Sequence, residues 1–306
     1  MLVITTYCII IAFAPIHSSE EPKAERRSLV TCNPATKCFT KYFAMDKPPE
    51  GLEIDHPSAI SCICQTVPGL AGDFFATAFD NQAGIALFSG YALVATQATQ
   101  IGSYPRPTVG WRTNPKLAKE GSDAMYAGHG TGPQAIDKGH LNPSNVNSFD
   151  VDHMVATFTY SNAVPQYGSF NRGSWKKFEG KIAKYVKDVC GKNMGTMYLI
   201  TGTSKYRFDP TSPLLKPIPT SIELFPPGDP KGIVRPNSMW TAGCCVKASG
   251  PESIAVIGNN DFDKSKAGTQ SMSLATLEKL LAIKKPANLF PAFPGCRSKS
   301  FDLNLL

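Results

Sequence analysis

After Asn171, apolar residues recur at Trp175, Phe178, Ile182, Tyr185, Val186 and Val189, with lysines at 176, 177, 181, 184 and 187 filling the gaps. That three-and-four spacing predicts a helix with one buried stripe and a basic outer face. Elsewhere the period shortens. Alternation and β-branched or aromatic residues predict strands over Asp73–Phe79 and Ile85–Leu93, joined by the turn Asp80-Asn81-Gln82-Ala83-Gly84. Val155–Tyr160, Thr196–Thr201, Met239–Val246 and Ser253–Ile257 read as further strands, and Leu274, Leu277, Leu280 and Leu281 mark a later helix. Between them, Pro210 to Pro230 is proline-rich and predicts a long surface connection. No repeat or low-complexity tract interrupts the pattern. The chain reads as one α+β domain behind a cysteine-containing lead-in.

Three short motifs fall close together in this frame. Asp137-Lys138-Gly139-His140 comes first, then Ser161-Asn162-Ala163-Val164-Pro165-Gln166, then Asn171-Arg172-Gly173-Ser174-Trp175-Lys176-Lys177-Phe178-Glu179 at the head of the basic helix. At about 100° per residue, Asn171, Trp175 and Glu179 share one side of that helix. Their heights differ by about 12 Å, so Asn171 and Glu179 cannot both ligate one ion at about 2.1 Å. Each motif has a plainer reading beside its chemical one. Asn171 fits a helix N-cap, Glu179 a surface ion pair with Lys176, Lys181 or Lys184, and Asn162 and Gln166 ordinary turn residues. Order and spacing favour the chemical reading.

In that order the motifs resemble the DNA/RNA non-specific endonucleases, whose ββα-metal site combines a D-R-G-H strand end, an S-N-x-x-P-Q turn and an N-x-G-x-W-x-x-x-E helix start. The likeness extends from about Cys38 to Cys296 and is nearest to the secreted animal branch of endonuclease-domain-containing proteins. It carries Pro48-Pro49-Glu50-Gly51-Leu52, Leu199-Ile200-Thr201-Gly202-Thr203 and Trp240-Thr241-Ala242-Gly243-Cys244-Cys245. The resemblance implies a ββα-metal finger on a mainly antiparallel central sheet with flanking helices and disulfides. It divides the chain into a signal peptide at 1–18, the lead-in at 19–60, an endonuclease domain at 61–296 and a tail at 297–306.

It also assigns roles. His140 becomes the base that activates water, a task suited to a neutral imidazole. Asn171 becomes the direct ligand of Mg²⁺, or another divalent cation such as Mn²⁺, with Glu179 hydrogen-bonded to a water on the ion. Asn162 and Gln166 orient the ion's waters or the phosphate; Asp137, Lys138 and Arg172 serve substrate binding, Asp137 by bracing its turn. Two departures stand out. Lys138 replaces the family's arginine and gives up bidentate phosphate geometry. The stretch from Asp80 to Gly84, ahead of Ser89-Gly90-Tyr91, holds no arginine to counter the charge of the pentavalent state. Arg106 and Arg112 are the two that could reach the site from another loop.

Composition narrows the partners. Lys plus Arg exceed Asp plus Glu by 31 to 24, for a net charge of +7 and a pI near 8.9, a surplus suited to a polyanion such as DNA or RNA. Ile4 to Ile16 is largely apolar and precedes charged residues from Glu20 to Arg27, the pattern of a secretory signal too short to be a stable span. No later run is long enough to cross a bilayer. Beyond Cys8 eight cysteines remain, an even count that predicts four bridges in an oxidising compartment, with the pairing open. His129, His140 and His153 fit no compact zinc pattern, and no G-x-S-x-G elbow is present. Two function classes stay open: a secreted Mg²⁺-dependent endonuclease, and a secreted nucleic-acid-binding protein with feeble or no turnover on the same scaffold.

Overall fold

The computed structural model describes residues 37–132, 134–211, 216–282 and 286–306. The expected signal peptide lies outside the described residues. A seven-stranded sheet dominates, and its neighbouring strands all pair antiparallel: β1 (Ile60–Gln65), β2 (Phe75–Asp80), β3 (Ile85–Leu93), β6 (Thr196–Ser204), β11 (Ser238–Val246), β12 (Glu252–Asn259) and β13 (Gln270–Ser271), in that spatial order. The α+β expectation holds, and so does the hairpin between β2 and β3. Its turn is closed by Asp80, whose Oδ1 accepts from the backbone N–H groups of Gln82 (2.9 Å) and Ala83 (3.0 Å), while Gly84 takes φ +72°.

Core residues cover both faces of the sheet, which is why its central strands read as nearly continuous apolar runs. On β12, Ile254 and Val256 join one cluster and Ala255 and Ile257 the other, as the period of two requires. One face carries the long helix with Trp175, Ile182 and Tyr185; the other carries Phe39, Phe43, Phe88, Trp240 and Leu277. Burying a large aromatic side chain contributes on the order of 2–3 kcal/mol, so these faces supply most of the cohesion.

The same alternation decides the disulfides. Cys244 and Cys245 are neighbours on β11 and point to opposite faces, so they take different partners. Cys245 binds Cys190 at the end of the long helix, Cys244 binds Cys296 on the other side, and Cys38 binds Cys64 of β1. Cys62 is disulfide-bonded as well. Among the described residues no helix is long and apolar enough to cross a membrane.

Two expectations fail. Val155–Tyr160 is not a strand: a helix spans Val151–Ala156, capped by Asp150, whose side chain accepts from the His153 N–H, and Phe158 and Thr159 only pass beside Arg112. A good cap outweighed the β-branched residues. The proline-rich stretch to Pro230 is not wholly irregular either. It contributes β8 (Pro217–Pro219), paired with β7 (Tyr206–Phe208), and β9 (Glu223–Phe225), paired with β10 (Ile233–Arg235). These are short edge ribbons, where missing proline N–H groups cost least.

The Cys190–Cys245 bridge closes a loop of 55 residues between the site-bearing helix and the sheet. Replacing both cysteines by serine is expected to lower unfolding free energy by about 2–5 kcal/mol, read from urea melts. An unchanged midpoint would show that packing alone fastens the helix.

Candidate active site

A hairpin and the helix after it build the site. β4 (Ile136–His140) pairs antiparallel with β5 (Ala163–Tyr167), so His140 lies opposite Ala163, Gly139 opposite Val164 and Asp137 opposite Gln166. The Ser161–Gln166 segment is therefore not simply a turn. Tyr160–Asn162 forms one 3₁₀ turn and the rest is the second strand of the finger. A side chain at 139 would strike Gln166, since a Cβ there falls 2.2 Å from its Cδ. Glycine is required for that contact, rather than for substrate access.

The helix begins at Gly168, three residues before Asn171, so Asn171 is not its N-cap. Residues Asn171–Trp175 form a π-helical turn in which Gly173 leaves helical dihedrals, and α-helix resumes over Lys176–Tyr185. Such a bulge re-aims the side chains on it. Asn171 turns toward β4, where its Nδ2 donates to Asp137 Oδ2 at 3.0 Å. With the amide nitrogen held, the carbonyl oxygen is the end left for an electrophile. Asp137 thus braces Asn171 rather than a turn, and it also faces Arg172 Nε at 3.4 Å.

His140 and Asn171 line one cleft of about 680 Å³, together with Glu179, Asp137, Lys176 and Arg106. His140 is buried and its Nε2 has no hydrogen-bond partner. Trp111 lies against its ring at 4.7 Å between centroids and Phe158 meets it edge-on at 5.0 Å. Burial, aided by the Arg106 charge, lowers its pKa to about 3, which keeps the imidazole neutral across the physiological range. Glu179 responds oppositely. Burial raises its carboxyl to about 7, with Arg106 pulling the other way, so it is no simple surface ion-pair partner.

Of the two arginines expected from other loops, Arg106 is the one that lines the cleft. Arg106 lays its guanidinium over the Phe158 ring at 4.9 Å and has no carboxylate partner among the described residues. Arg112 is elsewhere engaged. It donates to the carbonyls of Val155 (2.8 Å) and Ala156 (3.1 Å), closing the end of the Val151–Ala156 helix.

Asn162 and Gln166 do not line this cleft, and Lys138 at its wall is engaged elsewhere. Asn162 is fully buried and spends both ends of its carboxamide on the scaffold: Oδ1 accepts from Ser89 Oγ (3.0 Å) and the Asn142 N–H (2.9 Å), and Nδ2 donates to the carbonyls of Asn142 (3.0 Å) and Thr157 (3.0 Å). Nothing of it remains for an ion or a phosphate. Lys138 reaches the cleft wall but turns to Asp123 Oδ1 at 2.5 Å and to the Tyr160 hydroxyl at 3.2 Å, among the rings of Trp111, Tyr126 and Tyr160. Gln166 is fully buried beside Asp137 and neither of its amide atoms has a partner. Trp111 and Phe158, which set the His140 environment, were missed in the sequence. In sequence Trp111 is only the neighbour of Arg112, and Phe158 lies in the Val155–Tyr160 stretch whose expected strand does not form.

The donor set fits a hard, hydrated cation. The cleft offers the oriented carboxamide oxygen of Asn171, and imidazoles do not gather: His129, His140 and His153 each pack among different aromatic rings. Among the described residues the one tight group of possible metal-binding side chains is Cys38, Cys64 and Asp73, whose cysteines are already joined to each other.

Comparison with known proteins agrees with this geometry. The profile of the DNA/RNA non-specific endonucleases matches residues 70–289, well over half of the chain. The chain belongs to that family. Its fold is similar to a chain in the crystal structure of the EndoG/EndoGI complex, which addresses the mechanism of EndoG inhibition, with a TM-score of 0.52 at 15% identity over 79% of this chain and 87% of that one. No curated protein sequence matches it. This member of the non-specific endonucleases has the ββα-metal finger of its fold, set against one face of a large antiparallel sheet.

Asn162→Ala would remove four buried hydrogen bonds at once; Ser89 keeps Thr77 and the Thr157 carbonyl keeps the Thr159 N–H, while the Asn142 N–H and carbonyl lose this partner, at roughly 1–3 kcal/mol for each poorly rehydrated group. The expected result is a thermal midpoint lowered by several degrees or more, with kcat per folded molecule retained below the transition. Normal stability with lost turnover would return Asn162 to the chemistry.

Proposed function

We propose that the chain is a secreted, metal-dependent endonuclease that hydrolyses phosphodiester bonds of DNA, RNA or both with little sequence preference. The observation that carries this reading is a single one: a neutral, unpartnered His140 imidazole and an Asn171 carboxamide fixed by Asp137 line the same cleft. His140 Nε2 takes the proton of the attacking water, and the aromatic walls of Trp111 and Phe158 keep bulk water off the ring. Arg106, which lines the cleft and has no carboxylate partner among the described residues, holds the phosphate oxygens as charge grows on them. When bound, a divalent cation such as Mg²⁺, held by Asn171 with Glu179 orienting its waters, would supply Lewis-acid stabilisation of the leaving 3′ oxygen.

The basic surface does the rest. Lys176 and Lys177 are exposed at the head of the helix and Lys184 two turns later, so a cationic track leads away from the cleft along the backbone of a substrate. Arg172, largely exposed, joins it once a phosphate competes with Asp137. Lys138 is committed to Asp123 and acts on the substrate at most through the loop it holds. Secretion is supported by the disulfides, which persist in oxidising compartments.

Purified protein is expected to degrade plasmid and RNA in Mg²⁺ and to leave both intact in EDTA. His140→Ala should lower kcat/KM by about 10²–10⁴-fold and Arg106→Ala by about 10²-fold, both with unchanged thermal midpoints. Wild-type rates in His140→Ala would remove it as the base. The pH profile discriminates further. A carboxyl raised to about 7 is ionised only above that pH, so activity that needs the Glu179 carboxylate rises as pH passes up through 7; His140, at about 3, contributes no limb there. The acid limb should disappear in Glu179→Gln, at a lower plateau, and its persistence would assign it to another group.

A further inference from the structure

The loop that delivers Arg106 carries a second side chain with no structural work. Tyr104 is 46% exposed, lines the same cleft, and among the described residues its ring and hydroxyl have no partner. The other aromatic residues near the site are occupied: Trp111 lies against His140, and Phe158 sits between His140 and the Arg106 guanidinium. Among the described residues lining the cleft, Tyr104 is the aromatic side chain whose ring has no such partner.

That face is held in place rather than left to wander. The Tyr104 N–H donates to the Ser148 carbonyl at 3.0 Å, the Gly102 N–H donates to Ser148 Oγ at 2.8 Å, and Lys187 Nζ donates to the Ile101 carbonyl at 2.7 Å. Pro105 and Pro107 flank Arg106, which limits both the Tyr104 and Arg106 backbones to extended conformations. An exposed aromatic ring on a tethered loop lines the same cleft two residues along the chain from a guanidinium suited to phosphate, an order in which both can engage one nucleotide. The arginine meets the phosphate and the tyrosine meets the base attached to it.

Resting on the nuclease reading, we propose that Tyr104 is the specificity-determining residue of the cleft: it stacks on the base next to the phosphate held by Arg106, and so favours unpaired nucleotides over an intact duplex. A ring can cover a base face only where that face is not already covered by its neighbours, and stacking does not depend on which base is present. The cleft then reads strandedness without reading sequence.

The test separates base from backbone. In the non-cleaving His140→Ala background, fluorescence anisotropy would follow binding of a fluorescein-labelled single-stranded deoxyoligonucleotide and of the same backbone made wholly of abasic residues. Adding Tyr104→Ala is expected to weaken binding of the base-bearing strand by roughly 5- to 100-fold and to leave the abasic strand unchanged, whereas Tyr104→Phe and Tyr104→Trp retain wild-type affinity. In the cleaving protein, Tyr104→Ala should lower the ratio of single-strand to duplex kcat/KM with the thermal midpoint preserved. Equal losses on both strands, or none on either, would overturn the assignment while leaving the nuclease reading intact. Failure of the parent protein to bind either strand would overturn both.

Discussion

One buried carboxamide holds the finger that carries the candidate site to its sheet. Asn162 receives Ser89 from β3 and ties together the Asn142 backbone, two residues beyond His140, and the end of the helix that precedes Phe158. Each of these groups is removed from water, so each would cost free energy if its partner were lost, and the low surrounding dielectric raises both the strength of the bonds and the penalty for breaking them. The network continues from Ser89 to Thr77 and Gln65 and returns through Ser161. A closed set of polar contacts of this kind admits one register of finger on sheet, where apolar packing alone would tolerate several.

With the finger fixed, the chemistry follows from how charge is rationed in the cleft. Asp137 is used to orient Asn171 and to hold Arg172; Asp123 takes Lys138; among the described residues Arg106 is left without a carboxylate. Burial then acts on the two titratable groups in opposite senses because it disfavours the charged form of each, pressing His140 toward neutral imidazole and Glu179 toward neutral acid. Arg106 strengthens the first effect and opposes the second. A single cation on a proline-stiffened loop therefore tunes both partners of a proposed proton-transfer site and presents itself to phosphate.

Much of this was legible beforehand, and the reasons are local. The helix after Gly168 announced itself through its apolar stripe, β3 through its alternation, and the β2–β3 turn through Asp80 and Gly84. Where local rules compete, reading failed. Val155–Tyr160 has strand-forming residues but lies just behind a capping aspartate, and the cap decided it. The prolines before Pro230 announced a connection, yet an edge ribbon needs few N–H donors and formed there. Asn162 was read by its motif as chemistry, because a carboxamide looks the same whether it faces a metal or four backbone and hydroxyl partners.

The chain by itself determined its family, the identities of His140 and Asn171, the basic helix face and the even set of cysteines, since each is a matter of residue type at short spacing. Only the tertiary structure decided that Cys244 and Cys245 part to opposite faces, that Arg106 rather than Arg112 reaches the cleft, and that Lys138 turns to Asp123. Those outcomes depend on which distant segments come within a few ångströms, and contacts of that kind are set by packing across the whole sheet rather than by any window of sequence.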